Sequence, residues 1–107
     1  MKNLNKTIPL FFAALCLGAT AHAEPGDKDR GEARAATCAG CHGQGGNSSI
    51  PSLYPSIAGM PAAEMEAALK AFRDGERDDP QMAPQATHLS DQDIRDLAAY
   101  YEAQERK

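Results

Sequence analysis

Apolar positions along this chain recur with helical rather than strand spacing. Met65, Ala68, Leu69 and Phe72 fall at i, i+3, i+4 and i+7, which predicts a helix over residues 61–74 with one buried stripe. Pro61 suits its first position, and Gly75 suits the left-handed position just past its end. A clearer stripe is formed by Ile94, Leu97, Ala98 and Tyr101. Ser90 with Asp93 three residues on gives it a capping-box start, and it frays near Gln104. A third helix is expected over residues 27–38, with Gly26 and Asp27 as its cap and Ala33, Ala35 and Ala36 as strong helix formers. Gly31 inside it costs about 1 kcal/mol relative to alanine, which is consistent with close approach by another element. β-Branched residues are scarce and no strict alternation persists, so no strand is expected. Two Pro- and Gly-rich connections, residues 40–59 and 75–89, are long for so small a chain, and loops of that length usually wrap something. The pattern predicts an all-α domain of three main helices and two long loops around an absent centre.

The N-terminus changes the size of that domain. Lys2 and Lys6 precede a short apolar run from Ile8 to Ala19, and Ala21-His22-Ala23 fits a small-x-small cleavage rule. Residues 1–23 therefore read as a secretory signal peptide and residues 24–107 as the mature domain. The apolar run is about 12 residues where ~20 would span a membrane, and Leu15 before Cys16 departs from a lipoprotein site. Cleavage leaves 84 residues with 9 Lys and Arg against 15 Asp and Glu, a net charge of −6. That acidity excludes a phosphate-neutralising nucleic-acid surface. Aromatic residues make up only 6% and Trp is absent, so the chain has little with which to build a core. Chains this small lean on disulfides, a metal or a bound group. Of the three cysteines only Cys38 and Cys41 remain after cleavage, and a bridge between them would close too small a loop to staple the fold.

Cys38-Ala39-Gly40-Cys41-His42 is a C-x-x-C-H run, the attachment pattern of c-type haem. Two thiols at i and i+3 near a helix end can each form a thioether to one vinyl group of the same porphyrin. The histidine that follows then lies beneath the ring, where its imidazole can ligate iron. Three rivals share these residues: a thioredoxin-like pair, a zinc site of Cys38, Cys41, His42 and His88, and a local disulfide. The first needs a core strand ahead of the motif, and the second lacks paired C-x-x-C or H-x3-H spacing. For a second axial ligand the mature chain offers Met60, Met65, Met82 and His88. Met65 belongs to the apolar stripe, and Met60 sits close to the proximal side. Met82, in Asp79-Pro80-Gln81-Met82-Ala83-Pro84, is favoured, on the expectation that the flanking prolines stiffen an extended loop.

Taken in order, these features resemble a class I cytochrome c of the small bacterial periplasmic kind, or one half of a two-haem cytochrome of the c-four type. The resemblance covers nearly all of residues 26–104. It rests on Gly31, Cys38 to Gly43, Pro55-Ser56-Ile57-Ala58-Gly59, Ala71 to Arg77, Met82, Leu89 to Ile94 and Leu97 to Tyr101. It implies a small cytochrome c fold wrapped around one haem c, with Cys38 and Cys41 as thioether residues, His42 as proximal ligand and Met82 as distal ligand. It also implies that the Pro55 carbonyl accepts the other imidazole N–H, and that Gly31 lets the first and last helices cross beside Tyr100 or Tyr101. The helical stripe itself favours Tyr101 as the buried one of the two.

With both axial positions filled, the resemblance implies a periplasmic, monomeric one-electron carrier rather than an enzyme. The alternative is an electron-entry haem subunit of a larger dehydrogenase or oxidase. Redox partner proteins with basic docking surfaces would suit the acidic chain, and Asp74, Glu76, Asp78 and Asp79 are the candidate contacts. Arg73 and Arg77 are expected to pair with a haem propionate or with those acids. The deficit of large apolar side chains leads to one expectation: without haem the chain is largely unfolded. Far-UV circular dichroism of the apoprotein should show little helix and no cooperative melt, whereas near-native helicity would contradict it.

Overall fold

The structure is a computed structural model and describes residues 24–107, so the signal peptide read at 1–23 lies outside the described residues. Four α-helices and one 3-10 turn follow in order, with no strand among the described residues. They are α1 (Lys28–His42), the 3-10 turn (Gln44–Gly46), α2 (Ala62–Arg73), α3 (Met82–Ala86) and α4 (Asp91–Glu102). The three long helices stand where the periodicity puts them. The short α3 is an addition within what the sequence reads as a loop.

The helix ends follow from local chemistry. Asp27 caps α1 by accepting the N–H groups of Asp29 and Arg30 at 2.8 and 2.9 Å. The helix runs four residues beyond the expected Cys38, to His42, and stops because Gly43 takes φ 83°. A side chain there would overlap the Asn47 carbonyl, so glycine is required. Pro61 is not the first residue of α2 as its position suggests; it is the extended N-cap, and it has no side chain to cap with. Glu102 at the far end of α4 supplies the bond instead, taking the Ala62 N–H at 2.6 Å. The capping box of α4 is present in both directions, each Ser90–Asp93 bond being 3.0 Å.

Helix α4 packs against both α1 and α2, and α2 also against α3. Its stripe Ile94, Leu97, Ala98 and Tyr101 is 2% exposed or less and forms one core with Ala35, Ile57, Met65 and Leu69. Ala68 is only partly buried. Where α1 and α4 cross, a Cβ on Gly31 would overlap the Asp96 carbonyl oxygen and come within 2.8 Å of Tyr100 Cβ. Tyr100 thus borders the crossing, while Tyr101 fills the core at 2% exposure. The two rings meet edge-on, with centroids 5.0 Å apart.

A buried acid that no apolar pattern announces secures the same crossing. Asp96 accepts from the Asp27 backbone at 2.8 Å, from Gln92 Nε2 at 2.9 Å and from Arg30 Nε and Nη2 at 3.0 and 3.2 Å. Desolvation would raise its pKa, but the bonds from Arg30, the Asp27 N–H and Gln92 outweigh that and bring it to about 2.

Two outcomes follow at this joint. Gly31→Ala should gain about 1 kcal/mol in helix propensity and lose more to the overlap with Asp96, an overpacking cost of about 1–3 kcal/mol. The holoprotein should therefore melt at lower temperature by calorimetry, although alanine is the better helix former. Because the folded pKa of Asp96 lies below its ordinary 3.8, its contribution is present above about pH 4 and lost as pH falls toward 2. That contribution is on the order of 2 kcal/mol. Urea midpoints of Asp96→Asn should be lower at neutral pH and vary less with pH between 4 and 2.

Candidate functional site

The C-x-x-C-H residues occupy the last turn of α1, so Cys38 and Cys41 lie one turn apart on one side of the helix. Both are free thiols; Cys38 is half-buried against the core and Cys41 is exposed. Burial pushes the Cys38 thiol up, only partly offset by its hydrogen bond with Tyr101. Burial likewise pushes the Tyr101 hydroxyl up, with Cys38 adding to the effect. A thiol held neutral at a helix C-terminus is the reverse of a thioredoxin-like thiolate, which needs a positive helix N-terminus.

His42 is buried, at 9% exposure, and its Nδ1 lies 2.7 Å from the Pro55 carbonyl oxygen. A carbonyl can only accept, so Nδ1 carries the proton and Nε2 keeps its lone pair for a metal. Several bonds fix the loop that presents Pro55. The Gly46 carbonyl accepts from Ile57 and Ala58 at 2.8 and 3.0 Å, Ser56 Oγ accepts from Ser48 at 3.0 Å, and the Tyr101 carbonyl accepts from Gly59 at 2.8 Å. Ile50 and Leu53 on this loop are 50% and 59% exposed, large apolar side chains without cover.

Met82 does not sit in an extended loop. It is the first assigned residue of α3, half-buried and packed against the core that Cys38 also borders. The expectation of stiffened extended backbone fails because Asp79-Pro80 starts a helix: the Asp79 carbonyl takes the Ala83 N–H at 2.9 Å, and Pro80 fills the first turn. Asp79 Oδ1 accepts the N–H groups of Gln81 and Met82 at 2.8 and 2.9 Å. Those two bonds, Met82 first, hold the Asp79 carboxyl below the usual range.

The other candidates are placed as follows. Met65 is buried in the core, Met60 is half-buried against it, and His88 is exposed. Among the described residues no three His, Cys, Asp or Glu side chains converge to hold a metal, so Cys38, Cys41, His42 and His88 are not brought together as the zinc alternative requires. Arg73 is engaged by acids, bonding Asp74 at 2.8 Å, Asp91 at 2.6 Å and the Leu89 carbonyl at 3.3 Å. Arg77 lies 4.5 Å over the Phe72 ring. The pattern reading did not single out Asp96, Glu102 or the capping role of Asp79. Only the last had a local signal, in the Asp-Pro pair.

Cys38, Met60, Ala62, Met82, Leu89 and Tyr100 are only partly buried where they pack against the core. A flat apolar group carrying a metal would complete it, with two thiols and one imidazole nitrogen as its attachment points. Similarity to known proteins agrees with this chemistry. A family profile described as cytochrome C oxidase, cbb3-type, subunit III matches residues 26–100. Cytochrome c-554(548) of Halomonas halodenitrificans is 45% identical over 83 residues, 75% of this chain and 99% of that protein. Cytochrome c4 of Pseudomonas aeruginosa is 39% identical over 101 residues, 94% of this chain and 49% of that protein. The crystal structure of reduced recombinant cytochrome c4 from Pseudomonas stutzeri superposes with a TM-score of 0.71 at 32% identity. The match covers 77% of this chain and 47% of that one, so the chain spans about half the length of a cytochrome c4.

Proposed function

This chain belongs to the cytochrome c family, and from that premise we propose that it is a periplasmic one-electron carrier built on a single haem c. Cys38 and Cys41 hold the group covalently, His42 Nε2 is the proximal ligand and the Met82 sulfur the distal one. When bound, haem supplies an iron centre that gains and loses one electron. The chain does the rest. The Pro55 carbonyl orients the His42 ring through its 2.7 Å bond and makes the free nitrogen more basic. Methionine as second ligand favours a high potential, and the apolar edge of the core keeps water from the site.

The observation that supports this reading is the His42–Pro55 bond beside the two thiols: it occupies Nδ1 and leaves Nε2 as the nitrogen that would meet the iron. In this assignment His42 and Met82 would both ligate the iron, so the group would supply electron transfer rather than a place for a substrate. Glu76 and Asp78 are exposed and supply acidic contacts for a basic redox partner, whereas Asp74 and Asp91 are taken up by Arg73. Among the described residues no helix is long and apolar enough to cross a membrane. Export by the signal peptide read at residues 1–23 accounts for the periplasmic location.

The optical spectrum tests the assignment. The reduced protein should show c-type bands that survive acid–acetone extraction. The ferric protein should show the weak red charge-transfer band of methionine-ligated iron. Met82→Ala should lose that band and lower the midpoint potential while keeping covalent haem. A wild-type ferric protein without the band sinks the Met82 assignment.

A further inference from the structure

Asp79 stands in the sequence as one of four acids near Met82, a candidate for partner docking. Its geometry says otherwise. One carboxylate oxygen, Oδ1, faces the backbone and accepts the N–H groups of both Gln81 and Met82. The Asp79 carbonyl accepts the Ala83 N–H, the first bond of the turn. Asp79 therefore caps the turn that leads into α3, with Pro80 in the position where a missing N–H costs nothing.

This cap matters more than a helix cap ordinarily does. Helix α3 has five residues, far too few to persist on its own intrahelical bonds. Its far end is held by buried Ala86 and by Thr87, whose Oγ1 bonds the Ala83 carbonyl at 2.7 Å. Pro84 has no N–H, so the turn lacks a bond at its middle. At the near end Asp79 alone holds the Met82 N–H, at 2.9 Å.

We propose that Asp79 is a positioning residue for Met82: by gripping the Met82 and Gln81 amides it fixes the backbone from which the methionine sulfur reaches the iron, and so sets how readily that ligand is displaced. The proposal rests on the reading of Met82 as distal ligand. It also removes Asp79 from the docking set and leaves that role to Glu76 and Asp78.

Imidazole competes with methionine for ferric haem, and its titration into the ferric holoprotein, followed by loss of the red charge-transfer band, measures this grip. Asp79→Ala should bind imidazole about fivefold more tightly than wild type, the factor a lost cap typically gives. Asp79→Asn keeps an acceptor oxygen and should stay within about twofold of wild type, with Asp79→Gly between the two. Should Asp79→Ala fail to load haem, Asp79→Gly carries the comparison. In a Met82→Ala background, where the red band is absent and binding is followed by the shift of the Soret band instead, the Asp79→Ala change should leave imidazole affinity unaltered, because no methionine remains to be positioned. Equal affinities in wild type and Asp79→Ala overturn the proposal, and so does equal tightening in Asn and Ala, which would assign the effect to charge. A wild-type protein lacking the red band defeats the ligand reading itself, a result distinct from either of these.

Discussion

The crossing of α1 over α4 is the constraint on which the rest of this structure depends. Helix α1 carries all three C-x-x-C-H side chains on its last turn, so wherever α1 points, the haem-binding groups point too. Two unlike devices fix that direction. Gly31, like Gly26 just ahead of α1, removes a side chain that would hold the chain off α4, and Asp96 ties the α1 N-terminus to α4 through Asp27 and Arg30. The first is steric and the second electrostatic. A buried carboxylate this well bonded resists protonation, so the joint keeps its strength through the ordinary pH range.

From that joint the chain builds half a core and leaves the other half to be completed. Of the eleven buried apolar residues, four are alanines, too few and too small to enclose a domain of this size. The loop bonds show how the open side is nevertheless kept in shape. Main-chain carbonyls of Gly46 and Tyr101 hold the segment from Ile57 to Gly59, and with it the Pro55 carbonyl that meets His42. Helix α3 packs Met82 against the core that Cys38 also borders. Haem would add apolar surface to a core that the side chains build sparsely.

Cytochrome c4 is about twice the length of this chain, while the Halomonas cytochrome is matched over 99% of its own length and 75% of this chain. The present chain corresponds to one haem unit of that architecture. Its acidic side chains divide by use. Asp91 and Asp96 are consumed in ion pairs between helices, Asp74 in a pair with its neighbour Arg73 and Asp79 in a cap, so that of the acids from Asp74 to Asp79 only Glu76 and Asp78 stay exposed without such a partner.

By itself the sequence determined the helices that bury a stripe, the capping box at Ser90 and the motif Cys38 to His42. Each is a local pattern read within one or two turns, where spacing along the chain equals placement in space. It also contained, in Asp79-Pro80, the sign of a helix start that the two flanking prolines disguised as a stiff loop. The stripe also marked Tyr101 as the buried tyrosine, but tertiary structure alone decided that Tyr100 borders Gly31, that Asp96 would be buried, and that Glu102 would cap a helix forty residues upstream. Those outcomes depend on contacts between distant segments, and a buried acid or a borrowed cap carries no period that a pattern could reveal. A carboxylate looks the same in sequence whether it faces water, an arginine or an amide, and only the fold chooses among them.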